Sequence, residues 1–139
     1  MRSLKPKVTQ AVPFFAVSNI EKSIRYYVDG LGFEMTNKWI PQEKIEWCWL
    51  QHGGASLMLQ EIINDRRDMS GRKAGDGVSI YFICDDAQAI YQEIISKGIQ
   101  ATEPFVGNSM WVIGLTDPDG YKIYFESPTK VAEETSSQK

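Results

Sequence analysis

Apolar positions along the chain change period several times, and each change marks an element. Residues 13–17 form a short apolar run that predicts a strand. Ser18 and Glu21 then make a Ser-x-x-Glu capping box, a pattern that opens a helix because each side chain can satisfy a free backbone N–H. Ile20, Ile24, Tyr27, Val28 and Leu31 recur with helical spacing and leave one apolar stripe. Gly30 and Gly32 end it. Residues 33–40 predict a second strand, closed by Pro41. Residues 46–50 alternate and put Trp47 and Trp49 on one face. Gly53-Gly54 suits a tight hairpin, and residues 55–63 supply the fourth strand.

The order then recurs. Residues 78–84 predict a strand, and Asp85 or Asp86 caps a helix carrying Ala87, Ile90, Ile94 and Ile95, with Gly98 at its end. Residues 99–106 and 109–115 predict strands. Asp117-Pro118-Asp119-Gly120 is a turn in which proline presets φ and glycine takes the left-handed position, and residues 121–126 form the last strand. A shift of 66 residues superposes the halves without a gap, setting Val17 on Ile83, Gly32 on Gly98, Trp47 on Ile113, Gly54 on Gly120 and Leu59 on Phe125. The fold class is therefore α+β, two tandem βαβββ modules at residues 10–63 and 77–128. Residues 64–76, rich in charge and glycine, read as a linker, with a lid over a site as the alternative, and residues 129–139 as a flexible tail.

Composition narrows the chemistry. With 15 Lys+Arg against 18 Asp+Glu and no basic stripe, nucleic acid is not an expected partner. No apolar run reaches the roughly 20 residues of a membrane span, and the basic N-terminus is not followed by a signal-peptide core. Cys48 and Cys84 sit in apolar runs and fit buried thiols in a reducing cytoplasm. The single histidine, His52, rules out a two-histidine facial triad or a histidine-rich zinc site within one protomer. It precedes Gly53-Gly54 and is expected in a solvated hairpin turn.

Val17-Ser18-Asn19-Ile20-Glu21-Lys22-Ser23, Tyr26-Tyr27, Leu31-Gly32-Phe33 and Asp117-Pro118-Asp119-Gly120-Tyr121, set in this repeat, resemble the vicinal oxygen chelate superfamily of glyoxalases, extradiol dioxygenases and bleomycin resistance proteins. The resemblance implies a curved mixed sheet or partial barrel, with the helices on its convex side. Metal enzymes of that superfamily place ligands on the first and fourth strand of each module, which here fall on Val12, Met58, Val78 and Tyr124. Valine, methionine and a neutral tyrosine make no hard-cation site. Shifting the register by one residue gives none either, and by two at most Gln60 and Glu126. Neither metal nor other cofactor is expected, and no catalytic residue is assigned.

Strand alternation from those positions puts Phe14, Ala16, Gln60, Ile80, Phe82 and Glu126 on the concave face and points Leu57, Leu59, Ile123 and Phe125 at the helices. An apolar wall with a few polar groups suits a small molecule. Gln60 and Glu126 would orient it, Trp39, Trp47 and Trp111 would stack on it, and Met58 would adapt to it. Phe14, Trp39, Trp47, Met58, Gln60, Ile80, Phe82, Trp111, Tyr124 and Glu126 are thus the candidate ligand-binding residues. The run Val12-Pro13-Phe14-Phe15-Ala16-Val17 looks like the bleomycin resistance branch, which implies a homodimer holding a cationic aromatic compound between subunits, with no metal. An enzyme of the same superfamily with a displaced site using Glu46, Gln60 or Glu126 is the alternative, and a module that only dimerises or docks on a partner is a third.

Overall fold

The computed structural model describes residues 5–62 and 75–133. The linker and lid readings of residues 64–76 fall almost wholly outside them. The first module comprises β1 (Phe14–Val17), α1 (Ile20–Ile24) running into a π-helical stretch at Arg25–Gly30, β2 (Glu34–Trp39), β3 (Trp47–His52) and β4 (Ala55–Glu61). The second comprises β5 (Ser79–Ile83), α2 (Ala87–Ser96), β6 (Phe105–Gly107), β7 (Met110–Thr116) and β8 (Lys122–Pro128). Each module makes one four-stranded mixed sheet, in the orders β1-β4-β3-β2 and β5-β8-β7-β6. The first strand of each lies parallel to the fourth and the other pairs are antiparallel. The sheets do not close into a barrel.

Local chemistry explains where elements start and stop. The N-cap of α1 is Asn19, not Ser18, because the Asn19 side chain accepts the Lys22 N–H at 3.1 Å. Ser18 spends its own N–H on Asp119 of the other module at 3.1 Å, so the expected capping box does not form. Glu61 from β4 accepts the Ile20 N–H at 3.0 Å, which places a carboxylate at the positive end of the helix. Burial alone would raise the Glu61 pKa. Its bonds from Lys44 and from Ile20 outweigh that and hold it below the ordinary value. Asp86 caps α2 by accepting the Ala89 N–H at 3.0 Å.

The strand expected at 99–106 is reduced to Phe105–Gly107. Pro104 is buried there and has no N–H to give a ladder. Asn108 and Ser109 both adopt positive φ and form the two-residue turn between Gly107 and Met110, so Ser109 belongs to the turn and not to a strand. The first residues after β8 are bonded: Thr129 N–H reaches the Ser109 carbonyl and Asn108 N–H reaches Glu133, each at 2.9 Å.

One hydrophobic core spans both modules. α1 packs on β4, and α2 on β7 and β8. Leu57, Leu59 and Cys48 of the first sheet share the core with Ile113, Ile123 and Phe125 of the second, and the Phe33 and Phe82 rings meet edge to face across the boundary at 5.5 Å. The Asp-Pro-Asp-Gly-Tyr turn works as a clasp between modules. Asp117, buried, accepts the Tyr27 hydroxyl at 2.7 Å, Tyr121 donates its hydroxyl to the Ala16 carbonyl at 2.8 Å, and the Tyr121 ring stacks on Phe15 at 4.0 Å. The modules therefore join through their helix-side faces. The opposite face of each sheet is left to something other than this chain's core.

Candidate functional site

Paired residues of a sheet share a face, so the ladders decide which side chains meet. On the face of the first sheet turned from the helices, one row runs Asn37, Trp49, Met58, Phe14 and the next runs Trp39, Trp47, Gln60, Ala16. On the second sheet the matching rows are Gly114, Tyr124, Tyr81 and Phe105, Val112, Glu126, Ile83. Phe14, Met58, Gln60, Tyr124 and Glu126 thus lie on the open faces, where strand alternation puts them, and Trp39 and Trp47 lie there too.

Three candidates do not. Ile80 pairs with Ile123 and Phe82 with Phe125, and both turn into the core with those partners. Trp111 pairs with Val106 and with buried Ser127, whose hydroxyl accepts the Ala87 N–H at the start of α2, so Trp111 also faces the helix side. Tyr81 takes the place assigned to Ile80 and Phe82. It stacks on Tyr124 at 4.6 Å with an interplanar angle of 11°.

Trp111 is a candidate only as a flat ring, with no face assigned to it; for Ile80 and Phe82 the error lies in the gapless repeat. Equivalent positions of β1 and β5 are 67 residues apart (Phe15 and Phe82), those of β3 and β7 are 65 apart (Cys48 and Ile113), and those of β4 and β8 are 66 apart (Leu59 and Phe125). One residue of slip turns a strand over. The two N-caps, Asn19 and Asp86, also stand 67 apart and carried that signal. The repeat mate of Val12 is then Ser79 rather than Val78. Val12, Met58, Ser79 and Tyr124 still offer no charged oxygen or imidazole, so these positions do not fit the superfamily's metal. Among the described residues, no three His, Cys, Asp or Glu side chains come together as a metal site.

The face of the first sheet has an ordered polar border. Gln51 accepts the Trp49 indole N–H at 3.0 Å and the Ser56 hydroxyl at 2.9 Å, and Gln10 donates to Ser56 at 2.6 Å. This network fixes the Trp49 ring, which alternation sets beside Trp47 and which is not among the ligand residues expected from the sequence. Gln60 and Glu126 have no side-chain partner among the described residues. His52 ends β3, is exposed, and sets its ring edge-on to Phe33 at 5.2 Å. The thiols are unsuited to nucleophilic work: burial pushes Cys48 up to about 11 and raises Cys84 as well.

The centre of the second face depends on a glycine. A Cβ on Gly114 would stand 2.8 Å from the Tyr124 ring, inside contact distance. Gly114→Ala is therefore expected to push Tyr124 off Tyr81 and to cost about 1–3 kcal/mol, read as a lowered Tm in thermal unfolding. An unchanged Tm would show that Tyr124 moves freely.

The sequence model of the Glyoxalase/Bleomycin resistance protein/Dioxygenase superfamily matches residues 9–125. The chain belongs to that superfamily. No curated protein matches the sequence. Among solved structures, an antibiotic-binding protein from Streptomyces sp. CB03234, TnmS3, superposes with a TM-score of 0.70 at 18% identity, over 90% of this chain and 100% of that one. A glyoxalase/bleomycin resistance protein from the same organism gives 0.66 at 20% identity, over 86% and 100%. The bleomycin-binding protein of Streptomyces verticillus, solved with copper(II)-bleomycin, gives 0.67 at 16% identity, over 88% and 98%. At these identities the likeness establishes the fold.

Proposed function

We propose that the chain is a metal-free small-molecule-binding protein, and that its ligand lies on the open sheet faces and is closed over by a second copy. The observation that carries this reading is the exposed aromatic surface. Phe14, Trp39 and Tyr81 are each 52% exposed on faces that this chain's own core leaves uncovered. Flat rings beside Met58 and Tyr124 suit a planar compound. Glu126, one row from the Tyr81–Tyr124 stack and without a side-chain partner among the described residues, and a net charge of −3 favour a cationic one. The antibiotic- and bleomycin-binding proteins of the same fold support this class of ligand. Free thiols at Cys48 and Cys84 agree with a reducing, cytoplasmic setting, and no helix among the described residues is long and apolar enough to cross a membrane.

Burying about 300 Å² of apolar ligand surface supplies roughly 7 kcal/mol before ordering costs. Stacking and one or two hydrogen bonds then bring micromolar affinity, about 8 kcal/mol, within reach. Calorimetric titration of planar cationic compounds, with bleomycin among them, tests the reading. At least one is expected to bind at micromolar concentration and to lose tenfold or more in Met58→Ala with Phe14→Ala. Absence of binding across the panel would overturn it. An enzyme is the second reading, favoured by the Glu126 carboxylate, which has no side-chain partner among the described residues and could serve as a general base. Turnover lost in Glu126→Gln, with binding kept, would establish it.

A further inference from the structure

The helix side of the molecule holds a groove open to solvent, remote from the open sheet faces. It is a cleft of about 730 Å³ where the two modules meet, a size suited to a small molecule. One wall is the π-helical stretch, which contributes Arg25, Tyr26 and Asp29. Ile99 and Pro118 of the second module form the other wall. The floor is tight because Gly30 lies directly against the Ile99 tip. Lys97 closes one end by donating to the carbonyls of Asp29 and Gly30 at 3.0 and 3.3 Å, while its ammonium also meets Glu93 at 3.3 Å.

Among the described lining residues Lys22, Arg25 and Lys97 outnumber Asp29, with Lys97 held by Glu93 and with Asp117 and Asp119 on either side of Pro118. Lys22 and Arg25 are exposed on its rim, and neither side chain has a hydrogen-bond or ion-pair partner among the described residues. Asp29, a carboxylate on the same wall as Arg25, leaves Lys22 and Arg25 as the cations of the rim without a partner among the described residues. The wider π turn is itself informative. Such turns are uncommon inside helices and concentrate at functional sites. Here the turn aligns Arg25, Tyr26 and Asp29 along one wall.

We infer that this cleft is a second ligand site, one that takes a planar aromatic anion. The ring lies between Tyr26, Ile99 and Pro118. A carboxylate or sulfonate meets the Arg25 guanidinium, whose planar fork matches such groups, and the Lys22 ammonium. Because its walls come from both modules, an occupant ties them together and raises the unfolding temperature.

The inference is independent of the reading of the open faces, and the experiment keeps the two apart. Anilinonaphthalenesulfonate is titrated by calorimetry into the full chain, into Lys22→Glu with Arg25→Glu, and into Phe14→Ala with Met58→Ala. Its uncharged analogue, phenylnaphthylamine, is titrated into the wild type. Lys22 and Arg25 are exposed, so their reversal leaves the fold intact, which a thermal melt checks. The inference expects saturable binding of the sulfonate, a loss of tenfold or more in the charge-reversal variant, less than a threefold change in the open-face variant, and at least tenfold weaker binding of the analogue. Failure of the sulfonate to bind, equal binding by the charge-reversal variant, loss confined to the open-face variant, or equal affinity for the analogue would each overturn it.

Discussion

Asp117→Ala is expected to destabilise the fold by about 3 kcal/mol, which lowers Tm by roughly 10 °C in a chain of this size. The buried carboxylate accepts three bonds, from the Tyr27 hydroxyl at 2.7 Å and from the N–H groups of Asp119 and Tyr121 at 2.9 Å each. Alanine strands those donors in the junction between modules, and each stranded group costs about 1–3 kcal/mol. Relief of the desolvated charge offsets part of that sum. Asp117→Asn keeps an acceptor oxygen and is expected to cost about 1 kcal/mol. Thermal unfolding of the two variants checks the order. Equal Tm values for alanine and wild type would mean that the turn does not clasp the first module.

The same carboxylate makes a pH prediction of definite sign. Burial raises its pKa above the ordinary value of 3.8, and the bonds from Tyr27, Tyr121 and Asp119 only partly oppose this. The native chain therefore holds the Asp117 proton to higher pH than the unfolded chain does. Its contribution to stability is fully present below the unfolded pKa and is lost as pH rises through the native one. The Tm advantage of wild type over Asp117→Asn is expected to be larger near about pH 3 than near about pH 7. An advantage that grows with pH would contradict the burial argument.

Phe33→Ala is expected to cost more, about 3–5 kcal/mol. The ring is 2% exposed and contacts Tyr27 at 5.8 Å, Phe82 at 5.5 Å and His52 at 5.2 Å. It is the point where the two cores become one. Denaturant unfolding is expected to show a lower midpoint and, if the modules uncouple, two transitions in place of one. A loss below 1 kcal/mol would mean that the modules are stable without this contact, and the argument that they meet by their helix sides would lose its energetic basis.

Much of this architecture was legible in the residues. Turn chemistry is local, so Gly53, Gly98 and Gly120, all at positive φ, marked the element ends correctly. Alternation is local too, so Leu57 and Leu59 were placed in the core and Met58 and Gln60 opposite them. What failed was the transfer of a face from one module to the other. A face changes with every residue gained or lost between elements, and no pattern within β5 says which side meets Phe125. Ile80, Tyr81 and Phe82 are all apolar or aromatic, so the strand reads alike from either side. Only its ladder to β8 separates Tyr81 from its neighbours. The cleft at Arg25 and Lys97 was invisible for a different reason. Its walls are 67 or more residues apart, and the π turn that aligns one of them leaves no periodic trace in six residues.

Tryptophan fluorescence read during titration with a binding member of the planar cationic panel, with and without excess chelator, tests the central claim most directly. Trp39, Trp47 and Trp49 all stand on the open face of the first sheet and report its occupancy. The account predicts a saturable change with the same midpoint in both titrations. A signal abolished by chelator and restored by a divalent cation would contradict it.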